Sequence, residues 1–239
     1  MKAMILAAGL GNRMRPLTLH TPKPLLQVGG KPLIVWHIEK LKKVGITDIV
    51  INTAWLADKL VEALGDGAAL GVNILWSHEG EGLETAGGII RALPLLGQDP
   101  FLLVNGDVWT TMAFNELTEI ELHDNLVHLV LVDNPVQHPK GDFILAKQRA
   151  FTFEQAVAGE ALTGEALTYS GLAVISPQLF AGLSDGKRPL APLLQKAMLD
   201  GRASAQKMQA DWVDVGTPER LSLLDQQIKQ GFYSQLCIH

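Results

Sequence analysis

Short apolar runs alternate with amphipathic stretches through the first half of the chain. AMILAA at 3–8 is apolar throughout and runs into glycines, the pattern of a strand buried on both faces. From Pro32 to Val44 the apolar residues Ile34, Ile38 and Leu41 recur on one helical face, with Pro32 suited to the first turn and Gly45 to the end; this predicts a helix. Strands are predicted at 48–52, 73–76 and 101–104, with helices over 56–64 and about 84–93 between them. Strand and helix in repeated order predict a parallel sheet covered by helices on both faces.

After Asp107 the alternation loosens. A helix is predicted over 113–123 and a strand over 126–133, but 134–164 mixes Pro, Gly and short apolar pieces and reads as a smaller sheet laid beside the first. A strand at 172–175, a helix at 190–199 and a last helix from Pro218 to about Lys229 complete the pattern. The expected fold class is α/β: a Rossmann-like mixed, mainly parallel sheet with helices on both faces and a small additional lobe. One domain is expected over 1–225, with 226–239 forming the end of the last helix and a tail.

Composition narrows the setting. With 47% hydrophobic and 19% charged residues, a disordered chain is excluded. Cys237 is the only cysteine, which excludes an intrachain disulfide and a cysteine-based zinc site. MKAMILAAGLG resembles a signal peptide at first sight, but its apolar run is short and Arg13 and Arg15 follow at once. No apolar stretch reaches the roughly 20 residues of a membrane span, so a cytoplasmic protein is expected. The seven histidines show no metal-ligand spacing and read as structural or surface residues. The tryptophans at 36, 55, 76 and 109 read as core or rim packing.

Charge is distributed unevenly. Residues 1–38 carry Lys2, Arg13, Arg15, Lys23 and Lys31 and no acid, whereas the other 201 residues carry all 25 carboxylates and a net charge of −10. A formal net charge of −5 argues against nonspecific nucleic-acid binding. The basic end implies instead an anion held at one place.

The stretch LAAGLGNRMRPLTLHTPKPLLQV supplies the means. A strand running into Gly9 and Gly11 places a flexible turn at the carboxyl edge of a parallel sheet, where such folds bind ligands, and the missing Cβ atoms let backbone N–H groups approach phosphate. The third glycine of a dinucleotide fingerprint and the Gly-Lys-Ser/Thr of a P-loop are both absent. Arg13 offers a forked contact to phosphate, and Lys23 stands between Pro22 and Pro24 on a stiffened backbone. GxGxRxxPLT followed by PKPLL resembles the sugar-1-phosphate nucleotidyltransferases, which join a nucleoside triphosphate to a sugar phosphate and release pyrophosphate.

Four later stretches continue the resemblance in family order: VNGD at 104–107, GLETAGGI at 82–89, YSG at 169–171 and WVDVGTPE at 212–219. The resemblance implies Mg²⁺ on Asp107 and Asp214, and the catalytic cations Arg13 and Lys23. It further implies nucleotide contacts from Ala8, Gly9, Gly11, Asn12, Glu79 and Gly82, and sugar-phosphate contacts from Asn105, Gly141, Glu154 and Ser170. Many relatives follow the position of Glu154 with Lys and Pro; here Gln155 and Ala156 follow, leaving Lys147 as the nearest substitute. Glu84 stands where many relatives have glycine.

Within the family, the compact length, GDF at 141–143 and WVDVGTPERL most resemble the bacterial uridylyltransferases of cell-wall recycling, which implies UTP and N-acetyl-α-muramate 1-phosphate as substrates. Guanylyltransferases of mannose or heptose phosphate are the nearest enzymatic alternative, and a noncatalytic nucleotide-sugar sensor is the alternative of another class. No partner beyond these small molecules is implied, and a monomer is compatible with the sequence.

Overall fold

The computed structural model describes residues 1–159 and 163–233. Cys237 and the end of the expected tail lie outside the described residues. The strands are β1 (Ala3–Leu6), β2 (Gln27–Val28), β3 (Lys31–Pro32), β4 (Asp48–Thr53), β5 (Asn73–His78), β6 (Phe101–Asn105), β7 (Val108–Thr110), β8 (Val127–Val132), β9 (Phe143–Ala146), β10 (Arg149–Phe151), β11 (Glu165–Ile175), β12 (Ala203–Lys207) and β13 (Trp212–Asp214). The helices are α1 (Leu33–Lys43), α2 (Ala57–Leu64), α3 (Glu84–Leu96), α4 (Asn115–Thr118), α5 (Phe153–Val157), α6 (Ala191–Leu199) and α7 (Pro218–Lys229).

Nine strands form the central sheet in the order β5-β4-β1-β6-β11-β8-β12-β10-β9. The first four are parallel to one another. Parallel pairing then recurs only between β8 and β12; the remaining neighbours are antiparallel. Alternate residues of the buried strands face opposite layers. Ile5, Ile51, Val104 and Val174 meet α1 and α2 through Ile34, Ile38, Leu41 and Leu60. Met4, Val50, Leu103 and Ala173 meet α3 and α6 through Ile89, Ala92, Leu194 and Ala197. A third cluster joins Met14, Val28, Leu33, Trp109, Val215, Leu224 and Tyr233, tying the opening loop to α7.

Two expectations change. The helix expected over 113–123 is only the single turn α4, because the Thr118 hydroxyl donates to the Asn115 carbonyl and His123 adopts φ 48. The small sheet expected in 134–164 is not separate: β9 and β10 extend the main sheet through β12, a strand whose small residues Ala203 and Ala205 hide its pattern. The last helix, α7, ends at Lys229 as expected, and beyond it buried Tyr233 packs against Trp109 with ring centroids 4.6 Å apart.

Candidate active site

The carboxyl ends of β1, β4, β5 and β6 open onto one cleft. Backbone donors and acceptors at these ends are no longer consumed by the sheet, so side chains complete them. The Ala7 N–H donates to Asn52 Oδ1 (2.7 Å), Asn52 Nδ2 donates to Glu79 Oε1 (2.6 Å), and Glu79 Oε2 accepts from the Leu83 N–H (2.8 Å). This buried ladder fixes the opening loop against the 79–83 loop. It also engages both oxygens of Glu79, and Asn52 at its centre escapes sequence reasoning because it reads as the polar end of a strand.

Two cavities adjoin there. The first, of about 400 Å³, is lined by Ala8, Gly9, Lys23, Asn52, Glu79 and Gly82 among others. The second, of about 340 Å³, is lined by Arg13, Tyr169, Ser170, Trp212 and Asp214 among others. Asn105 and Asp107 line both. Lys23 Nζ lies 2.8 Å from Asp107 Oδ2, with the lysine side chain only 11% exposed. The first cavity also contains Lys187, 3.8 Å from Glu84 on the connection between β11 and α6.

The two carboxylates that sequence separates by more than 100 positions meet through the β7–β13 ribbon. Asp214 pairs in register with Val108, and the Val215 N–H donates to the Asp107 carbonyl (2.9 Å). Thr217, not Asp214, caps α7 by accepting from the Arg220 N–H. That leaves Asp214 facing the second cavity, where Arg220 pairs with it. No group of three or more His, Cys, Asp and Glu side chains suited to a metal occurs among the described residues. Two carboxylates at a polar cleft nevertheless fit Mg²⁺, which is bound through one or two carboxylates and completes its shell with water and substrate phosphates.

Beneath this ribbon, His37 of α1 is buried and its Nε2–H donates to the Val108 carbonyl (2.8 Å). Removal from water lowers its pKa to about 4, against the smaller raising effect of that hydrogen bond.

The remaining expected residues divide. Gly11, at φ 62, and Asn12 line neither cavity; they build the turn that carries Arg13, with the Thr18 hydroxyl donating to the Gly11 carbonyl (2.7 Å). Of the five early cations, Arg13 and Lys23 line the cleft, while Lys2 donates to the Leu95 carbonyl and Lys31 pairs with Glu39. Ser170 lines the second cavity, but its hydroxyl donates to the Val130 carbonyl and accepts from the Leu172 N–H, so it fastens the bulge of β11. Gly141, at φ 71, lines neither cavity; a Cβ there would meet the Leu167 carbonyl at 2.7 Å.

Glu154 is exposed on α5 and lines neither cavity. Gln155, where the family resemblance implies lysine, is instead half of a capping box with Thr152. Lys147 sits in the β9–β10 turn at φ 48, away from both cavities. Glu84 adopts φ 59, the left-handed region in which glycine is least strained, at the position where the family resemblance implies glycine.

Strand ends, glycine turn and paired acid–base residues define a class, and sequence comparison agrees with it: the nucleotidyl transferase family model matches residues 2–142. The chain belongs to the nucleotidyl transferase family. It is 52% identical to the N-acetylmuramate alpha-1-phosphate uridylyltransferase of Neisseria meningitidis, over 92% of this chain and 95% of that one. It is 29% identical to the mannose-1-phosphate guanylyltransferase catalytic subunit beta of Xenopus tropicalis, over 92% of this chain but 62% of that longer one. In fold it matches a Bacillus anthracis crystal structure described as a glucose-1-phosphate thymidylyltransferase, with a TM-score of 0.82 and 22% identity over 96% and 95% of the two chains.

Proposed function

We propose that this protein transfers a uridylyl group from UTP to N-acetyl-α-muramate 1-phosphate, yielding UDP-N-acetylmuramate and pyrophosphate for peptidoglycan recycling. The observation that carries the reading is the pair of adjoining cavities with Asn105 and Asp107 common to both. Two substrates held one in each cavity meet at those residues. The 52% identity over nearly the whole length of the Neisseria protein favours uridylyl transfer over guanylyl transfer.

In the reaction, a phosphate oxygen of the sugar 1-phosphate attacks the α-phosphorus of UTP. The bond from that phosphorus to the oxygen bridging to the β-phosphate breaks, and pyrophosphate leaves in line. No covalent enzyme intermediate is required, so rate enhancement comes from alignment and charge. Lys23, half enclosed beside Asp107, places a cation at the reacting phosphate. Arg13, carried on its own turn, takes the outer phosphates with a forked contact. The Ala7–Asn52–Glu79–Leu83 ladder holds both walls of the nucleotide cavity, so Ala8 and Gly82 present backbone to the base and ribose. Asp107 and Asp214 would hold Mg²⁺, whose contribution is to neutralise charge on the phosphates.

No helix among the described residues is long and apolar enough to cross a membrane, in keeping with a cytoplasmic enzyme. A pyrophosphate-release assay over four nucleoside triphosphates and a panel of sugar 1-phosphates, with and without Mg²⁺, tests the reading. UTP with N-acetyl-α-muramate 1-phosphate should be the best pair and should depend on Mg²⁺. Best turnover with GTP and mannose 1-phosphate would replace it with guanylyl transfer, and no turnover with any pair would leave a nucleotide-sugar sensor.

A further inference from the structure

N-acetylmuramate differs from other N-acetylhexosamines by a lactyl ether at C3 that ends in a carboxylate. A site that selects this sugar needs a cation or strong donor away from the phosphate end. Among the residues lining the second cavity, the side chains able to carry positive charge are Arg13 and His138. Arg13 belongs to the phosphate loop. His138 belongs to the 134–142 connection between β8 and β9.

His138 is held by construction. Its Nε2–H donates to Asp142 Oδ1 (2.9 Å), and Asp142 Oδ2 accepts the backbone N–H of Tyr169 (2.8 Å), at the start of the β11 bulge. The turn closes through the Gly141 N–H to the His138 carbonyl (3.2 Å) and the His138 N–H to the Pro135 carbonyl (2.8 Å). Only glycine fits at 141, where φ is 71 and a Cβ would strike both Asn134 Oδ1 and the Leu167 carbonyl. The Gly141–Asp142 step thus orients one imidazole at the cavity wall. With Nε2 committed to Asp142, Nδ1 is the ring nitrogen left for a ligand. A ring that donates from Nδ1 as well as from Nε2 can bridge Asp142 and a second carboxylate, a charge-assisted contact.

Resting on the uridylyltransferase reading above, we propose that His138, positioned by Asp142, receives the lactyl carboxylate and so selects the acidic sugar over N-acetylglucosamine. The phosphate then occupies the shared Asn105–Asp107 region, and the C3 substituent, two ring carbons from C1, extends within the second cavity, whose lining includes Gln137 and His138.

The test is the ratio of kcat/KM for N-acetyl-α-muramate 1-phosphate to that for N-acetyl-α-glucosamine 1-phosphate, with saturating UTP. A lost charge-assisted hydrogen bond corresponds to roughly tenfold or more. His138→Ala should therefore lower the ratio about tenfold or more, mainly through KM for the acidic sugar, and Asp142→Asn should lower it in the same direction. A ratio within about twofold of wild type in His138→Ala overturns the proposal, because a purely structural histidine lowers both sugars together. Failure of the wild-type protein to use the muramate substrate overturns the underlying reading instead. The two failures are read from different proteins in the same assay.

Discussion

At Asp107 a single side chain faces both cavities and an ammonium at once. The Lys23–Asp107 pair is half enclosed, with 11% and 41% of the two side chains exposed, so its contribution to folding is of the order of the 0–1 kcal/mol seen for accessible ion pairs. Its value to charge alignment is larger. Asp107→Asn should lower kcat about 100-fold or more, about 2.7 kcal/mol of barrier, while leaving the melting temperature within a few degrees. Activity near wild type with Mg²⁺ present would overturn the proposed metal role of Asp107. Glu79 differs from Asp107 in its hydrogen bonding. Both are acids in the cleft, but Glu79 has already given its two oxygens to Asn52 and Leu83.

Among the elements, β11 does the most positioning. Its bulge between Tyr169 and Leu172 brings Gly171 to φ 85 against the side chain of Asn105, with the position of an added Cβ 2.7 Å from Asn105 Cβ. Asn105 Oδ1 is buried and takes no hydrogen-bond partner among the described residues, so it is left for a ligand. Gly171→Ala should cost about 1–3 kcal/mol in urea unfolding, from left-handed strain and crowding. It should also displace Asn105, so that kcat/KM falls further than the lost folded population explains. A loss of activity no greater than that population would show that Asn105 need not be held at this position. The Trp212 indole, donating to the Ser170 carbonyl (2.8 Å), fastens the same bulge to the β13 ribbon.

For the molecule as a whole, stability is coupled to proton concentration through His37. Its folded pKa of about 4 lies below the ordinary 6.5, because burial disfavours the imidazolium. Above pH 6.5 the ring is neutral in the folded and the unfolded chain alike. Between 6.5 and 4 the unfolded chain binds the proton and the folded one does not, so stability falls across that window by about 3 kcal/mol. Unfolding measured from pH 7.5 to 4 should show this slope, and His37→Gln should flatten it while lowering stability at neutral pH. An unchanged slope would mean that other groups carry the acid sensitivity.

How much of this is contained in the chain order depends on distance along it. The strand of 3–6, its glycine turn, the cations Arg13 and Lys23, and the boundaries of α1, α6 and α7 follow from neighbours within a few residues. Steric limits on φ, capping and alternate burial act at that range. Asp107 and Asp214 also stand out locally, as acids after apolar strands. Other features depend on partners 27 to 196 positions away: the Asn52–Glu79 ladder, the Asp225 carboxylate under the Gly29 N–H, and the β12 bridge that joins β9 and β10 to the main sheet. Glu154 and Ser170 show the limit from the other side, since their residue types suit a sugar while the fold directs one to solvent and commits the other to a bulge. Sequence by itself determined which chemistry the chain carries, because charge and backbone freedom are properties of single residues. Tertiary structure decided which of those groups share a cavity, because that depends on strand order and on which hydrogen bonds remain unspent at the sheet's edge.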